Sequence, residues 1–204
     1  EHQRTDLLSR GVGVDSQVVS IPLGFDLQRF SSIPLFASRS HPTGLRHELG
    51  ISHGDRATVP VIGMIARLVP TKAHEVFLDA AQLVLEEIPG ARFVIVGDGN
   101  QRSRLEALAN QLLPHNSFKF LGWRTDTPAL FSEIDLVMHT SDSEGMPVSI
   151  IEALASGVPV VATNVGGIPD LIRDGVNGHV VPPRDPNAVA RAALAILRDP
   201  DRRA

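Results

Sequence analysis

Two cations stand close together just after a buried-looking apolar run of the chain. Arg67 and Lys72 are five residues apart, and Pro70 between them turns the chain toward the next helix. If both heads point into one cleft, they can neutralise a diphosphate, the arginine through its planar fork and the lysine as a compact charge. As an isolated pair they fit solvated surface cations better. The pair on its own leaves both interpretations open.

A second candidate site combines two glutamates with the start of a helix. Glu144 comes just before the segment that Pro147 opens as a first helical residue, and Glu152 lies further along it. The N–H groups at a helix start are unpaired and favour a diphosphate. A carboxylate accepts from two hydroxyls, so the glutamates are predicted to hold the vicinal diols of a sugar and a ribose. Glu144 also fits a favourable helix-start charge, whereas Glu152, among apolar neighbours, would be costly without a partner.

These residues fall at the ends of predicted strands. Apolar runs of strand length alternate with segments of helical period, which is typical of βαβ units and a parallel sheet. One helical segment carries an apolar stripe that is predicted to face the sheet: Phe77, Ala80, Ala81, Val84 and Ile88. The predicted strands are 59–66, 92–97, 118–122, 135–140 and 158–163, and the predicted helices are 72–88, 102–113, 127–134, 147–157 and 186–197. Five interleaved strands predict an α/β, doubly wound parallel sheet, in which ligands bind beyond the carboxyl ends of the strands.

The composition and the missing motifs exclude several classes of protein. The chain has 204 residues and no cysteine, so disulfides, thiolate zinc sites and cysteine nucleophiles are excluded. A net charge of −4 argues against broad nucleic-acid binding. No apolar run approaches the ~18 residues of a membrane span. The dinucleotide fingerprint after the second strand has Arg102 in place of its third glycine, and neither a P-loop nor a Gly-x-Ser-x-Gly elbow occurs.

Residues 1–58 lack the regular alternation of the rest of the chain. They are predicted to form a connector that wraps onto the domain, with a short helix around 44–49. His41, His47 and His53 recur every six residues, a spacing that does not share one helical face, and no metal site is predicted. Because the chain opens on Glu1 rather than Met, we expect it to be a piece of a longer protein.

The order of these motifs resembles the C-terminal, nucleotide-sugar-binding domain of a retaining glycosyltransferase of the GT-B fold, in glycosyltransferase family 4. The resemblance covers nearly the whole chain from about residue 18 and implies a Rossmann-like domain. The matching strings are IPLGFDLQRF, IARLVPTKAHEVFLDAA, FVIVGDGNQRSRLEALA, FLGWRTDTPALF, SDSEGMPVSIIEALASGVPVVAT and VGGIPDLIRDGVNGHVVPPRDP. The pattern Glu, seven residues, Glu is loose alone, but it is highly specific within this string and downstream of Arg-Leu-Val-Pro-x-Lys.

The resemblance implies a role for each candidate side chain. Arg67 and Lys72 would bind the donor diphosphate and stabilise the leaving nucleotide, without a metal or another cofactor. Glu144 would contact the hydroxyls of the donor sugar, which makes these three the predicted catalytic residues. Glu152 would hold the ribose diol.

The resemblance also implies contacts through backbone atoms. The loop at Trp123 and Arg124 would meet the base largely through its backbone, although Trp123 equally fits a cover over the sheet edge. Two positions depart from the family pattern, Ala73 where glycine is usual and Leu23 where asparagine is common. The remaining predicted contacts come from backbone amides. Those of Gly145 and Met146 would line the sugar pocket, and those of Val148 and Ser149 would face the phosphates.

The resemblance implies one domain of a two-domain enzyme. Residues 1–20 would be the end of an N-terminal acceptor domain or linker, and residues 21–204 the donor domain. The expected reaction is hexosyl transfer from a UDP-, GDP- or ADP-linked donor to an acceptor hydroxyl of a sugar or lipid, which the N-terminal domain would bind. The chain alone would then be weakly active or inactive.

The alternatives are a free-standing nucleotide-sugar-binding module without turnover and a GT-B nucleotide-sugar epimerase. A cytoplasmic location is expected, at the inner membrane face if the acceptor is a lipid, with neither a membrane span nor a nucleic-acid partner.

Overall fold

The sheet of the computed structural model is built from short, buried strands. The structure describes residues 2–19, 21, 24–32, 44–55 and 58–199. Its strands are β1 (Val61–Ile65), β2 (Arg92–Val96), β3 (Phe118–Gly122), β4 (Leu136–His139), β5 (Val160–Thr163) and β6 (Gly178–Val181). Neighbouring strands are parallel, and their order across the sheet is β3-β2-β1-β4-β5-β6. Each connection between paired strands therefore has to cross a face of the sheet.

Helices cover both faces of the sheet. Those in the described residues are α1 (His2–Ser9), α2 (Gln28–Ser31), α3 (Leu45–Glu48), α4 (His74–Glu87), α5 (Arg102–Leu112), α6 (Thr127–Phe131), α7 (Val148–Ala155) and α8 (Pro186–Leu197). Helices α4, α5 and α8 contribute to one hydrophobic core, and α2, α3, α6 and α7 contribute to the other. Strand residues alternate between the cores, since Ile62 and Met64 of β1 join the first and Val61 joins the second. The predicted α/β, doubly wound architecture is confirmed.

The predicted elements differ from the observed ones in a few places. Four residues of the predicted stripe on α4 are fully buried, and Ile88 packs against the same core at its edge. The prediction of five strands is wrong, because β6 lies in the Gly- and Pro-rich stretch that was assigned no strand. Its four residues are too short a run to stand out there, and pairing with β5 decides their conformation. The predicted short helix around 44–49 corresponds to α3, whereas α1 and α2 were not predicted.

Residues 4–19, at the start of the described chain, contribute nothing to either core. Arg4 donates to the carbonyl of Val18 and to Asp15, so residues 2–19 fold partly on themselves. None of residues 4–19 is buried. The boundary predicted after residue 20 stays a prediction, and Leu23 and His41 lie outside the described residues.

The strand order determines where a ligand can bind. Strands β1 and β4 are neighbours at the point where the order along the chain reverses, and such a switch point leaves a crevice at the carboxyl ends of the strands. Of the described helices, none combines the length and the apolar character needed to cross a bilayer.

Candidate functional site

A cleft of about 500 Å³ lies at the carboxyl ends of β1 to β4. The residues that follow these strands form its walls, together with the first turns of α7. Eight of the predicted site residues line it: Arg67, Lys72, Arg124, Glu144, Met146, Val148, Ser149 and Glu152. The other one, Gly145, is not part of the lining, and its carbonyl accepts a hydrogen bond from the N–H of Gly167 at 3.1 Å. The parallel topology thus brings together residues that are far apart in sequence.

Glu144 is held by a cluster of hydrogen bonds in the wall of this cleft. Lys72 Nζ donates to Glu144 Oε1. His139 Nε2 lies 2.6 Å from the same oxygen, and Ser141 Oγ donates to it at 2.7 Å. The side chains of Glu144 and Lys72 are only 7% and 17% exposed, so the ion pair is largely shielded from water.

These contacts determine the charge of Glu144. Burial alone would raise its pKa, but the hydrogen bonds from His139, Lys72 and Ser141 outweigh that effect and lower the pKa to about 2. Glu144 is therefore a carboxylate throughout the physiological pH range. An ionised carboxylate can only accept hydrogen bonds, which suits it to a ligand that presents hydroxyl groups.

Two buried threonines fix the backbone around this cluster. Thr140 Oγ1 donates to the carbonyl of Ala73 at 3.0 Å, which ties the residue after Lys72 to the end of β4. Thr163 in β5 donates to the carbonyl of Ser141 at 2.5 Å. Both threonine side chains are inaccessible to water. The backbone next to Lys72 and Glu144 is therefore anchored to the ends of β4 and β5.

The start of α7 faces the same cleft. Pro147 lies at the N-cap, so the helix begins at Val148, one residue later than predicted. The N–H groups of Val148 and Ser149 belong to the first turn, where no intrahelical acceptor exists. A neighbouring loop packs closely here, because a Cβ at Gly166 would lie 1.6 Å from the carbonyl oxygen of Glu144. Only glycine allows that approach and the φ of +55° at this position.

Glu152 lies in the second turn of α7 and lines the cleft with a half-buried side chain. Burial raises its pKa, and the positive charge of Arg29 on α2 partly offsets this effect. Its carboxylate can accept from a hydroxyl-bearing ligand at this end of the cleft.

The two arginines of the cleft differ in their partners. Arg67 is exposed, and within the described part of the chain it has no hydrogen bond or ion pair. Its guanidinium is therefore available to a ligand. Arg124 is already engaged, since it donates to Asp126 at 2.8 and 2.7 Å and to Glu48 at 3.1 Å. Its charge is neutralised within the protein, so its side chain fixes the loop after β3.

Trp123 lies beside Arg124 on the edge of the cleft. It is 72% exposed, so the alternative that it covers the sheet edge is wrong. An exposed aromatic ring that lines a cleft can report on a bound ligand through its fluorescence, and this chain has no other tryptophan.

Comparison with known proteins identifies the family. The model for glycosyl transferases group 1 matches residues 48–204, which is more than half of the chain. The chain belongs to this family. The resemblance seen in the motifs is thereby confirmed at the level of group 1, and the narrower assignment to family 4 stays a prediction.

Several solved and curated proteins align with most of this chain, at 26–31% sequence identity. The Anabaena protein HepE, solved in complex with UDP and glucose, is 30% identical, has a TM-score of 0.84, and aligns with 98% of this chain and 52% of its own. A GDP-mannose-dependent alpha-(1-6)-phosphatidylinositol monomannoside mannosyltransferase of Mycolicibacterium smegmatis is 31% identical over 94% of this chain and 50% of its own length. The C-terminal domain of a glycosyl transferase group 1 family protein from Francisella tularensis is 26% identical, with a TM-score of 0.65 over 94% of this chain and 91% of its own. The chain spans about half the length, or less, of the curated relatives it matches.

Ala73 stands where the resemblance implies glycine, and it joins Lys72 to α4. Ala73 adopts φ +46° and ψ +48° directly before α4, a left-handed conformation that glycine adopts without strain. The bond from Thr140 to its carbonyl helps to hold it there. The substitution leaves the turn intact, and Lys72 still reaches Glu144.

Sequence reasoning missed three buried polar side chains at this end of the sheet. His139 and Ser141 contact Glu144, and His74 is buried beside the cluster. One feature of the sequence could have indicated them: the apolar strand LVM is followed directly by several polar residues. In folds of this kind, ligands bind at the end of the strand where these residues lie. That signal marks the position but not the partner of each side chain.

Burial of His74 makes the stability of the domain dependent on pH. Both ring nitrogens are buried and lack hydrogen-bond partners within the described residues. Burial, followed by the charges of His139 and Lys72, lowers the pKa of His74 from 6.5 to about 4. The unfolded chain therefore binds the proton more readily, and stability present above pH 6.5 is lost as the pH falls toward 4. We expect a loss of roughly 3 kcal/mol from this group.

The check is urea unfolding at pH 7, 6, 5 and 4. His74→Leu should reduce the loss of stability between pH 6.5 and 4.5. Glu144 does not contribute in this range, because it gains its proton only at lower pH. His115→Leu, a change at an exposed histidine, is the control. An unchanged slope in His74→Leu would show that another group causes the acid sensitivity.

Proposed function

We propose that this domain is the donor-binding half of a retaining glycosyltransferase, which transfers a hexosyl group from a nucleotide-diphosphate sugar to an acceptor hydroxyl. The observation that carries the proposal is the arrangement of charge in the cleft. One space is lined by Arg67, which has no partner among the described residues, and by Lys72, which pairs with Glu144. The unpaired N–H groups that begin α7 line the same space. This combination suits a ligand that is anionic at one end and rich in hydroxyls at the other.

In the proposed mechanism the positive groups act on the leaving diphosphate. The bond between the anomeric carbon and the phosphate oxygen breaks, and the electron pair leaves on the diphosphate. Arg67, Lys72 and the amides of Val148 and Ser149 stabilise that developing charge, as preorganised donors do in a water-poor site. We propose that they suffice without a metal. The acceptor hydroxyl bonds to the anomeric carbon on the face that the diphosphate left, and its proton is released.

The proposed hydroxyl contacts involve the two glutamates. Glu144 accepts from the donor sugar, with the amides of Gly145 and Met146 beside it, and Glu152 accepts from the ribose diol. The loop at Arg124 meets the base through its backbone, because the side chain is engaged with Asp126 and Glu48. UDP in HepE and GDP-mannose in the mycobacterial relative's name support a uridine or guanosine donor.

The acceptor is proposed to bind outside this domain. The curated relatives are about twice as long as the chain or longer, which leaves room for a second domain of similar size. Closure of two domains around the donor would exclude water and align the acceptor. We therefore expect this chain alone to bind a donor and to transfer its sugar slowly or not at all.

The test is titration of the chain with UDP, GDP and ADP, with and without EDTA. We expect saturable heat with at least one nucleotide and no dependence on EDTA. The same titration should quench the fluorescence of Trp123, since the indole lines the cleft. Absence of heat with all three nucleotides at millimolar concentration would contradict the donor site. Binding that EDTA abolishes would contradict its independence of metal.

A further inference from the structure

Among the described residues, the hydrogen bonds to the Glu144 carboxylate all end on one oxygen. Lys72, His139 and Ser141 all reach Oε1. Among the described residues, no hydrogen bond ends on Oε2. Three donors saturate the lone pairs of Oε1, so a further donor has to approach Oε2. Because Glu144 lines the cleft, that donor can come from a ligand.

The surroundings of His139 indicate which of its nitrogens carries the proton. The ring is 1% exposed, and Nδ1 is buried without a partner within the described residues. A proton on Nδ1 would be an unpaired buried donor, which is expensive. Nε2 lies 2.6 Å from Glu144 Oε1 and 3.0 Å from Ser141 Oγ. Nε2 therefore carries a proton and donates it to Glu144, and Ser141 donates to the same oxygen.

We infer that His139 and Ser141 are positioning residues that hold Glu144 Oε1, so that Oε2 faces the cleft and accepts from a hydroxyl of the donor sugar. This inference rests on the proposed function, because it assigns the partner of Glu144 within the donor site. Neither residue touches the sugar. Both act through the orientation of the glutamate.

Lys72 alone could not fill this role in the proposed reaction. The lysine head is shared between Glu144 and the diphosphate, and its flexible stem allows it to turn toward an arriving phosphate. His139 and Ser141 are fixed at the end of β4, where Thr163 in β5 holds the carbonyl of Ser141. They keep the carboxylate in place while the lysine is engaged elsewhere. Such support for a functional group by fixed neighbouring donors is a general requirement for precise sites.

The experiment measures how much the sugar adds to binding in each variant. Dissociation constants are determined for three pairs of ligands: UDP and UDP-glucose, GDP and GDP-mannose, and ADP and ADP-glucose. For the pair that the unaltered chain binds most tightly, the dissociation constant of the nucleotide is divided by that of the nucleotide sugar. This ratio measures how much the sugar adds to binding. His139→Leu should reduce this ratio about tenfold, since one well-placed charge-assisted bond to the sugar is lost. The constant for the nucleotide alone should change less than threefold. Because each ratio is internal to one variant, any unfolded fraction cancels.

Two matched variants separate positioning from general damage to the strand. His139→Gln places an amide N–H near the position of Nε2 and should keep the ratio within threefold of the unaltered chain. Met138→Leu changes the neighbouring buried residue of β4, which packs in the opposite core, and should leave the ratio unchanged. Ser141→Ala should lower the ratio as His139→Leu does, by a smaller factor.

The outcomes distinguish this inference from the proposed function. If no pair binds to the unaltered chain, the donor site itself is wrong and the inference falls with it. If the unaltered chain binds and His139→Leu keeps its ratio within twofold, the donor site stands and the positioning role is wrong. Equal losses in His139→Gln and His139→Leu would also overturn the positioning role.

Discussion

Replacing Lys72 with alanine is expected to weaken binding of a nucleoside diphosphate to the cleft by about 10- to 100-fold, the effect of losing one charge-assisted hydrogen bond. The lysine is well placed to counter the charge of the ligand, because it lines the cleft with a side chain that is only 17% exposed, beside the negative charge of Glu144. Removal of the lysine takes away a cation, and the carboxylate of Glu144 loses the positive charge that Lys72 supplied. Both changes disfavour a diphosphate. Isothermal titration calorimetry with the nucleotide that the unaltered chain binds gives the measurement.

The chain offers a matched control, since Lys119 is its other lysine. Lys119 Nζ donates to the carbonyl of Glu48, away from the cleft lining. Lys119→Ala should therefore bind within twofold of the unaltered chain. Lys72→Arg should recover part of the affinity, because a guanidinium also binds phosphate. Equal affinities for Lys72→Ala and Lys119→Ala would remove Lys72 from the donor site.

The sequence was sufficient to place the main charged residues because the topology of the sheet determines where the strands end. Apolar runs such as VPVIGMIA predict buried strands, and parallel strands bring their carboxyl ends to one edge of the sheet. Arg67 follows β1, and Glu144 follows β4 with only a short loop between. Their meeting therefore required no knowledge of side-chain conformations. The family resemblance then supplied the roles that remain to be tested.

The partner of each polar side chain could not be predicted in this way. Arg124 was expected at the base loop, but its pairing with Glu48 depends on where a connector 76 residues away packs. The convergence of His139 and Ser141 on Glu144 depends on the conformation of the loop 140–147 between β4 and α7. Such pairings follow from tertiary packing, which no local pattern encodes. Strand β6 was missed for the same reason, since its pairing with β5 outweighs a weak local signal.

The connector before β1 is attached to the domain by a buried ion pair. Arg46 on α3 has no exposed surface, and its guanidinium donates to Asp135 Oδ2 at 2.5 Å and to the carbonyl of Val59 at 2.9 Å. Asp135 Oδ2 also accepts from the N–H of Val61 at 2.7 Å, at the start of β1. One carboxylate therefore joins α3 to the strand whose far end carries Arg67.

Arg46→Met is expected to lower the free energy of unfolding by about 3–5 kcal/mol, because the buried carboxylate of Asp135 loses the positive charge of Arg46. Urea unfolding at pH 7 measures the loss. Arg184→Met is the control: Arg184 pairs with Asp142 on the surface, where water screens the charges, and the change should be far smaller.

A second variant separates the buried charge from the packing of α3. Arg46→Met combined with Asp135→Asn removes the charge but keeps an acceptor for Val61, and it should recover part of the lost stability. If the single and double variants were equally unstable, the cost would come from lost packing rather than from the buried carboxylate. The effect should also extend to the cleft, because α3 carries Glu48, which holds Arg124 at the cleft edge. Quenching of Trp123 by the bound nucleotide, measured in the folded baseline, should then weaken in Arg46→Met and remain unchanged in Arg184→Met.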